Sequence, residues 1–220
     1  SNTYGNTDLK VVVAQGDLNG WNIGSHQHFN DISGNLRDMI QLGGSAEGLR
    51  MTDTSGAWRD CSAMVWSATD DPSMSGVTTM ESWFMNCASF DGDLSTWDTR
   101  NVQNMDSTFR LCTSFNNDSL ANWDVQAVTT MENTFRDASL FNGNISVWRP
   151  SAVTSMKNTF NGARSFNSDI SCWLADSDTL TDMEATFKNA EAFDRDLSWN
   201  VNEVTTMSET FSQCLNFNGN

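Results

Sequence analysis

The sequence predicts a tandem-repeat solenoid, and three observations predict it. A Val-x-x-Met-x-x-x-Phe pattern recurs at Val77/Met80/Phe84, Val102/Met105/Phe109, Val128/Met131/Phe135, Val153/Met156/Phe160, Leu180/Met183/Phe187 and Val204/Met207/Phe211. A second Phe follows each first one by six residues, at 90, 115, 141, 166, 193 and 217. A Trp then closes the unit at Trp97, Trp123, Trp148, Trp173 and Trp199, two or three residues after Leu94, Leu120, Ile145, Ile170 and Leu197. The Met spacings are 25, 26, 25, 27 and 24 by subtraction, and a fixed period of this size is the signature of stacked repeat architectures.

Met51, Trp58, Cys61 and Met64 occupy the same slots in a degenerate earlier unit, which makes seven units over residues 51–220. Within a unit the apolar residues at 77, 80, 84 and 87 step by three, four and three, one face of a one-to-two-turn helix. Thr78-x-x-Glu81, Thr129-x-x-Glu132, Thr181-x-x-Glu184 and Thr206-x-x-Glu209 read as capping boxes for those helices. The Leu/Ile-x-x-Trp run reads as a brief parallel strand. A lone unit cannot bury its Val, Met, two Phe and Trp, so the rows must stack on their neighbours.

Residues 1–50 lie outside the pattern and read as an N-terminal α/β cap. Its strand runs from Leu9 to Ala14 and its helix from Phe29 to Leu42, ended by Gly43-Gly44. At the other end, Val204, Met207, Phe211, Cys214 and Phe217 keep the internal consensus and carry no distinct cap. That C-terminal face is therefore expected to pack against another subunit or a continued chain.

The units, such as NVQNMDSTFRLCTSFNNDSLANWDV and AVTTMENTFRDASLFNGNISVWRP, resemble the surface-protein repeats of the BspA-like leucine-rich class, which includes a domain family of unknown function. The resemblance covers residues 51–220. It implies a leucine-rich-repeat-like solenoid on secreted or surface-exposed proteins, associated with adhesion and partner binding. It carries over no catalytic residue.

Lys+Arg 12 against Asp+Glu 28 gives a net charge of −16, which repels nucleic-acid backbones and anionic lipid surfaces. An acidic chain of this kind suits an extracellular or cell-surface setting, where salt screens its self-repulsion. No stretch reaches the roughly 20 apolar residues of a membrane-spanning helix. The sequence offers no Gly-x-Ser-x-Gly, no phosphate loop and no Cys/His pairing at motif spacing, so no enzyme activity is expected.

The Trp row reads as core, with glycan stacking as the alternative, while Trp66 and Trp83 lie off the row and read as exposed contact residues. Cys61, Cys87, Cys112 and Cys214 share a slot filled elsewhere by Ala138, Ala163 and Ala190, which marks small buried residues. A Cys87–Cys112 disulfide is open if that row stacks closely. His26 and His28 lack the further ligands that zinc needs. Two glycosylation triplets occur, at Asn117 and Asn144.

Asx pairs recur after the second Phe, from Asp91/Asp93 to Asn218/Asn220. They leave two readings open: a ladder of Asx turns, and a calcium site made by Asp93 with Asp118 and by Asp169 with Asp196. Calcium is the one cofactor the sequence raises. The function expected is a non-enzymatic adhesion or interaction module for a protein or glycan partner. The alternative is a structural or accessory subunit of a larger extracellular or virion assembly.

Overall fold

The computed structural model describes residues 9–12, 36–41, 55–66, 72, 74–175 and 177–219, the first two segments as backbone alone. His26, His28, Trp21, Met51, Gly43-Gly44 and the ends of the expected N-terminal strand and helix lie outside these residues.

The frame of the repeats is a column of parallel bridges, Thr79 to Asn104, Asn104 to Thr130, Thr130 to Ser155, Ser155 to Asp182 and Asp182 to Thr206. Around it the backbone amides alternate. Those of Met80, Ser82, Phe84 and Asn86 donate to the carbonyls of Asn104, Asp106, Thr108 and Arg110 in the next unit at 2.8 to 2.9 Å. The intervening amides of Trp83, Met85 and Cys87 close tight turns on the carbonyls of Met80, Ser82 and Phe84. The same alternation starts again at Met105, Met131, Met156 and Met183.

This alternation corrects the expected helices: among the described residues the sole helical element is a 3-10 turn, Ser119–Asn122. An α-helix would send each amide to the carbonyl four residues back within its own segment. Here every second amide is committed to the neighbouring unit. The ribbon reaches that geometry through left-handed residues four apart in each unit, such as Ser82 and Asn86 (φ 58° and 62°) or Asn133 and Asp137 (φ 52° and 59°). The apolar steps of three and four are met by a turn ladder as well as by a helix.

The capping boxes are corrected with them. The amides of Glu81, Glu132 and Glu184 donate to Thr79 Oγ1, Thr130 Oγ1 and Asp182 Oδ1, a turn cap two residues back. The Leu/Ile-x-x-Trp run is likewise a turn and not a strand, closed by Trp97 N–H on Leu94 O and its counterparts at Trp123, Trp148 and Trp173.

The N-terminal segment forms a parallel sheet in the order β1 (Leu9–Val12), β2 (Leu36–Gln41), β3 (Val65–Trp66). β2 corrects the expected helix over residues 29–42, whose described part, 36–41, is extended. A central strand has its amides and carbonyls satisfied from both edges, and such pairing overrides a local helical period. Through Asp38↔Val65 and Met39↔Trp66, β2 is tied to the first repeat.

Side chains inside the column form continuous rows. Phe84, Phe109, Phe135, Phe160, Phe187 and Phe211 stack at 5.4 to 5.6 Å with nearly parallel rings. Phe90 through Phe217 form a second row at 5.5 to 6.0 Å, and Trp97 through Trp199 a third at 5.5 to 6.4 Å. Each aromatic pair adds about 0.5 to 1.5 kcal/mol beyond its area burial. Trp123, Trp148, Trp173 and Trp199 also donate Nε1–H to the carbonyls of Leu94, Leu120, Ile145 and Ile170, one unit back. A buried threonine row, Thr108, Thr134, Thr159, Thr186 and Thr210, shares each hydroxyl between the Met carbonyls of its own and the preceding unit.

Trp83 is fully buried, against the exposed position expected for it, and packs edge-on to Trp58 and Trp97. Trp66 is half-buried over Phe84 and Phe90. Units approach so closely that a Cβ on Gly143 would lie 2.2 Å from the Asn117 carbonyl oxygen.

The cysteine row is free thiol, so the optional Cys87–Cys112 disulfide is not formed. Cys87, Cys112 and Cys214 donate their thiols to the carbonyls of Trp58, Phe84 and Phe187. Burial pushes the Cys112 thiol far above its ordinary pKa and raises Cys87 likewise, with the neighbouring Cys61 thiol adding to it; Cys214 is pushed up to about 11, mainly by burial.

These thiols ionise in the unfolded chain near pH 8.5 but resist ionisation in the fold. Their contribution is therefore complete below about pH 8.5 and is lost as pH rises toward the folded values, at about 1.4 kcal/mol per pH unit and buried thiol. The urea midpoint is expected to fall steeply between pH 8 and pH 10. Cys87→Ala with Cys112→Ala, which installs the residue found at 138, 163 and 190, should flatten that fall. An equal slope in both proteins would exclude the thiols as its cause.

Candidate interaction surface

With the apolar rows inside, the polar positions of each unit are left in columns of their own. Thr129, Thr154, Thr181 and Thr205 are exposed, and each donates its hydroxyl to the backbone carbonyl at the matching position one unit back. The donor hydrogen is thus fixed, while the oxygen lone pairs and the methyl face outward.

The Asx pairs divide their labour. The first member reaches the next unit: Asp91 Oδ1 accepts from Asn116 N, Asn116 from Asn142 N, Asn142 from Asn167 N, Asn167 from Asp194 N and Asp194 from Asn218 N, at 2.7 to 3.1 Å. The second member caps its own turn in three units, where Asp93, Asn144 and Asp169 accept the amides of Ser95, Ser146 and Ser171. The Asx-turn reading from sequence describes this second column. The inter-unit column was missed, because spacing alone does not say which amide a short side chain will reach.

Of the four aspartates weighed for calcium, Asp93 and Asp169 are exposed turn caps, and their hydrogen bonds to Ser95 and Ser171 hold both carboxyls below the ordinary pKa. Asp118 is exposed and accepts the Asn144 amide at 2.8 Å, and Asp196 is exposed as well. Among the described residues no three His, Cys, Asp or Glu side chains converge as a metal group. Asn117 spends its Nδ2 on the carbonyls of Asp91 and Gly92, whereas Asn144 is exposed.

Charge on this surface is paired across units as well. Lys157 bridges to Glu184 at 2.7 Å, Lys188 pairs with Glu209, and Arg164 lies 3.6 Å from Glu191. Exposed pairs of this kind contribute about 0 to 1 kcal/mol each; their effect is to hold long side chains in one direction along the array. An open cleft of about 440 Å³ is lined by Ser95, Thr96, Trp97, Asp98, Arg100 and Asp124, among others. Arg100 donates Nε–H to Asp98 Oδ1 at 2.8 Å there, and that bond holds the Asp98 carboxyl below its ordinary value. Trp97 is too buried at 4% exposure to offer a stacking face for a sugar ring.

A family model described as "Mycoplasma protein of unknown function, DUF285" matches residues 52–173 and 117–220. No curated protein and no solved structure matches the chain.

Proposed function

The chain belongs to the DUF285 family, and from that premise we propose that it is a non-enzymatic interaction or adhesion module, a leucine-rich-repeat-like solenoid that binds a protein or glycan partner outside the cell. The same reading takes the family as the BspA-like surface repeats that these units resemble. The observation that carries it is the pair of columns, the Thr and Asx rows, in which successive units offer a Thr hydroxyl and an Asx side chain held by bonds to their neighbours. Pre-oriented groups cost little ordering entropy on binding. Their repetition makes contact multivalent, so weak single contacts multiply.

A net charge of −16 supports an extracellular setting and disfavours nucleic acid and anionic membranes as partners. One observation favours the second reading, a structural subunit of a larger extracellular or virion assembly: Leu140 and Val147, in one internal unit, expose 53% and 59% of their surface.

The test is binding of the chain to panels of glycans and of purified extracellular matrix proteins. The bound partner is then titrated against a triple Thr129→Ala, Thr154→Ala, Thr181→Ala variant. A drop in affinity of tenfold or more, with melting shifted by only a few degrees, is expected. No partner in either panel, or a partner indifferent to the substitutions, would remove the Thr column from the reading.

A further inference from the structure

Among the described side chains, Arg110 is the one Lys or Arg with neither a hydrogen-bond acceptor nor an ion-pair partner, in a chain of net charge −16. It is half-buried, and its Nε is closed off from solvent. One unit on, Arg136 holds the equivalent place after the stacked Phe109 and Phe135. Its Nε is enclosed in the same way, 3.5 Å from Asp137 Oδ2 and without a hydrogen bond to it. The Leu111 amide donates to the Arg136 carbonyl, so the two backbones run at the spacing of paired strands, about 4.8 Å. An enclosed donor without an acceptor costs free energy, and an acceptor brought by a ligand relieves it.

The reason Arg110 lacks a partner is legible three units on. Lys188, its counterpart there, pairs with Glu209 of the following unit, two residues after Met207. That position is Asn133 for Arg110 and Asn158 for Arg136. Asn133, Asn158 and Glu209 share the left-handed backbone (φ 52°, 56° and 58°), so their side chains leave it alike. Asp106, four residues before Arg110, spends its Oδ1 on Ser107 Oγ and Asn133 Nδ2 instead.

We infer that Arg110 and Arg136 together bind the carboxylate of an acidic sugar, at the place that Glu209 takes beside Lys188. A guanidinium fork matches the two oxygens of a carboxylate. Groups with two charges are disfavoured beside the acidic positions Asp106, Glu132 and Asp137. The surroundings favour a sugar over an acidic peptide. Asn133 and Asn161 flank the pair with amide groups suited to hydroxyls, and none of the exposed large apolar residues belongs to this column to anchor a protein. The inference rests on the interaction-module reading and names the partner's chemistry, at positions of the unit other than the Thr column.

The experiment is calorimetric titration of the chain with a disaccharide of glucuronate and N-acetylglucosamine, with its methyl ester, and with an end-blocked glycine–glutamate–glycine tripeptide. Saturable binding of the acid is expected, with the ester and the tripeptide at least tenfold weaker. Arg110→Gln should weaken the acid at least tenfold, and Arg110→Lys, which keeps the charge and loses the fork, severalfold. Asn133→Glu supplies the carboxylate from within, as Glu209 does, and should abolish binding while near-ultraviolet dichroism keeps the parent's form. The triple Thr variant should bind the acid as the parent does, which separates failure of this site from failure of the Thr column.

No saturable binding at millimolar acid, an ester that binds equally, or an affinity indifferent to Arg110→Gln or Asn133→Glu would overturn the site. A tripeptide that binds as tightly would overturn the sugar and make an acidic protein segment the occupant.

Discussion

Met131→Asp is expected to abolish cooperative folding of the array. Met131 is fully buried at its centre, and its carbonyl accepts the hydroxyls of both Thr134 and Thr159. A carboxylate there has no cation within the core and either loses solvation or takes up a proton, at a cost of several kcal/mol. A globular domain has only about 5 to 15 kcal/mol to lose. In a stacked array the damage is larger than the site, because each unit is held by its neighbours and a broken middle interface leaves two shorter stacks. Met131→Leu, which roughly conserves volume, should cost less than about 1.5 kcal/mol. Thermal melting by circular dichroism distinguishes them: a shift of well over 10 °C or a lost transition for Asp, and a few degrees for Leu. An Asp variant melting with the parent would place Met131 outside the core.

The rows on which this rests were legible in the sequence because a buried column tolerates little variety. Met80 to Met183, the Phe rows as far as Phe187 and Phe193, the Trp row and the Cys/Ala slot as far as Ala190 are buried where the period puts them. The backbone between them was not legible. Apolar steps of three and four arise in a helix, and they arise equally in a ribbon whose alternate amides leave for the next unit.

The signal that separates the two lies in the polar residues. Asn133 with Asp137 and Asn158 with Gly162 place left-handed formers four apart, which no helix requires. Leu111, Ala185 and Glu209 hold the same conformation without that tendency, so there the pattern is imposed by the neighbouring units.

Trp83 was misjudged for a related reason. It sits one residue before the Phe row, a position that a helical wheel turns outward and that the ribbon turns in among Trp58 and Trp97. The strand at residues 36–41 was missed because its apolar residues 36, 39 and 40 suit a helix face, and pairing with β1 and β3 is not written in its own sequence.

For the polar surface, recurrence identified the Asx positions, and their bonding across units gave them direction. The aspartates raised for calcium differ in how the fold uses them. Alignment puts Asp93 and Asp118 in neighbouring units, yet one caps its own turn and the other accepts the amide of Asn144.

The central claim is that the units are interchangeable layers, joined by alternate amides and stacked side-chain rows. Deleting residues 128–152 removes one complete unit and joins Ala127 to Val153, which lets the Met105 amide meet the Ser155 carbonyl in place of Thr130. Deleting residues 128–140 removes half a unit and brings mismatched rows together. The measurement is urea unfolding of both proteins followed by tryptophan fluorescence. The account predicts a single cooperative transition with a modestly smaller m-value for the whole-unit deletion, and no folded baseline for the half-unit deletion. Equal disruption by the two deletions would contradict it.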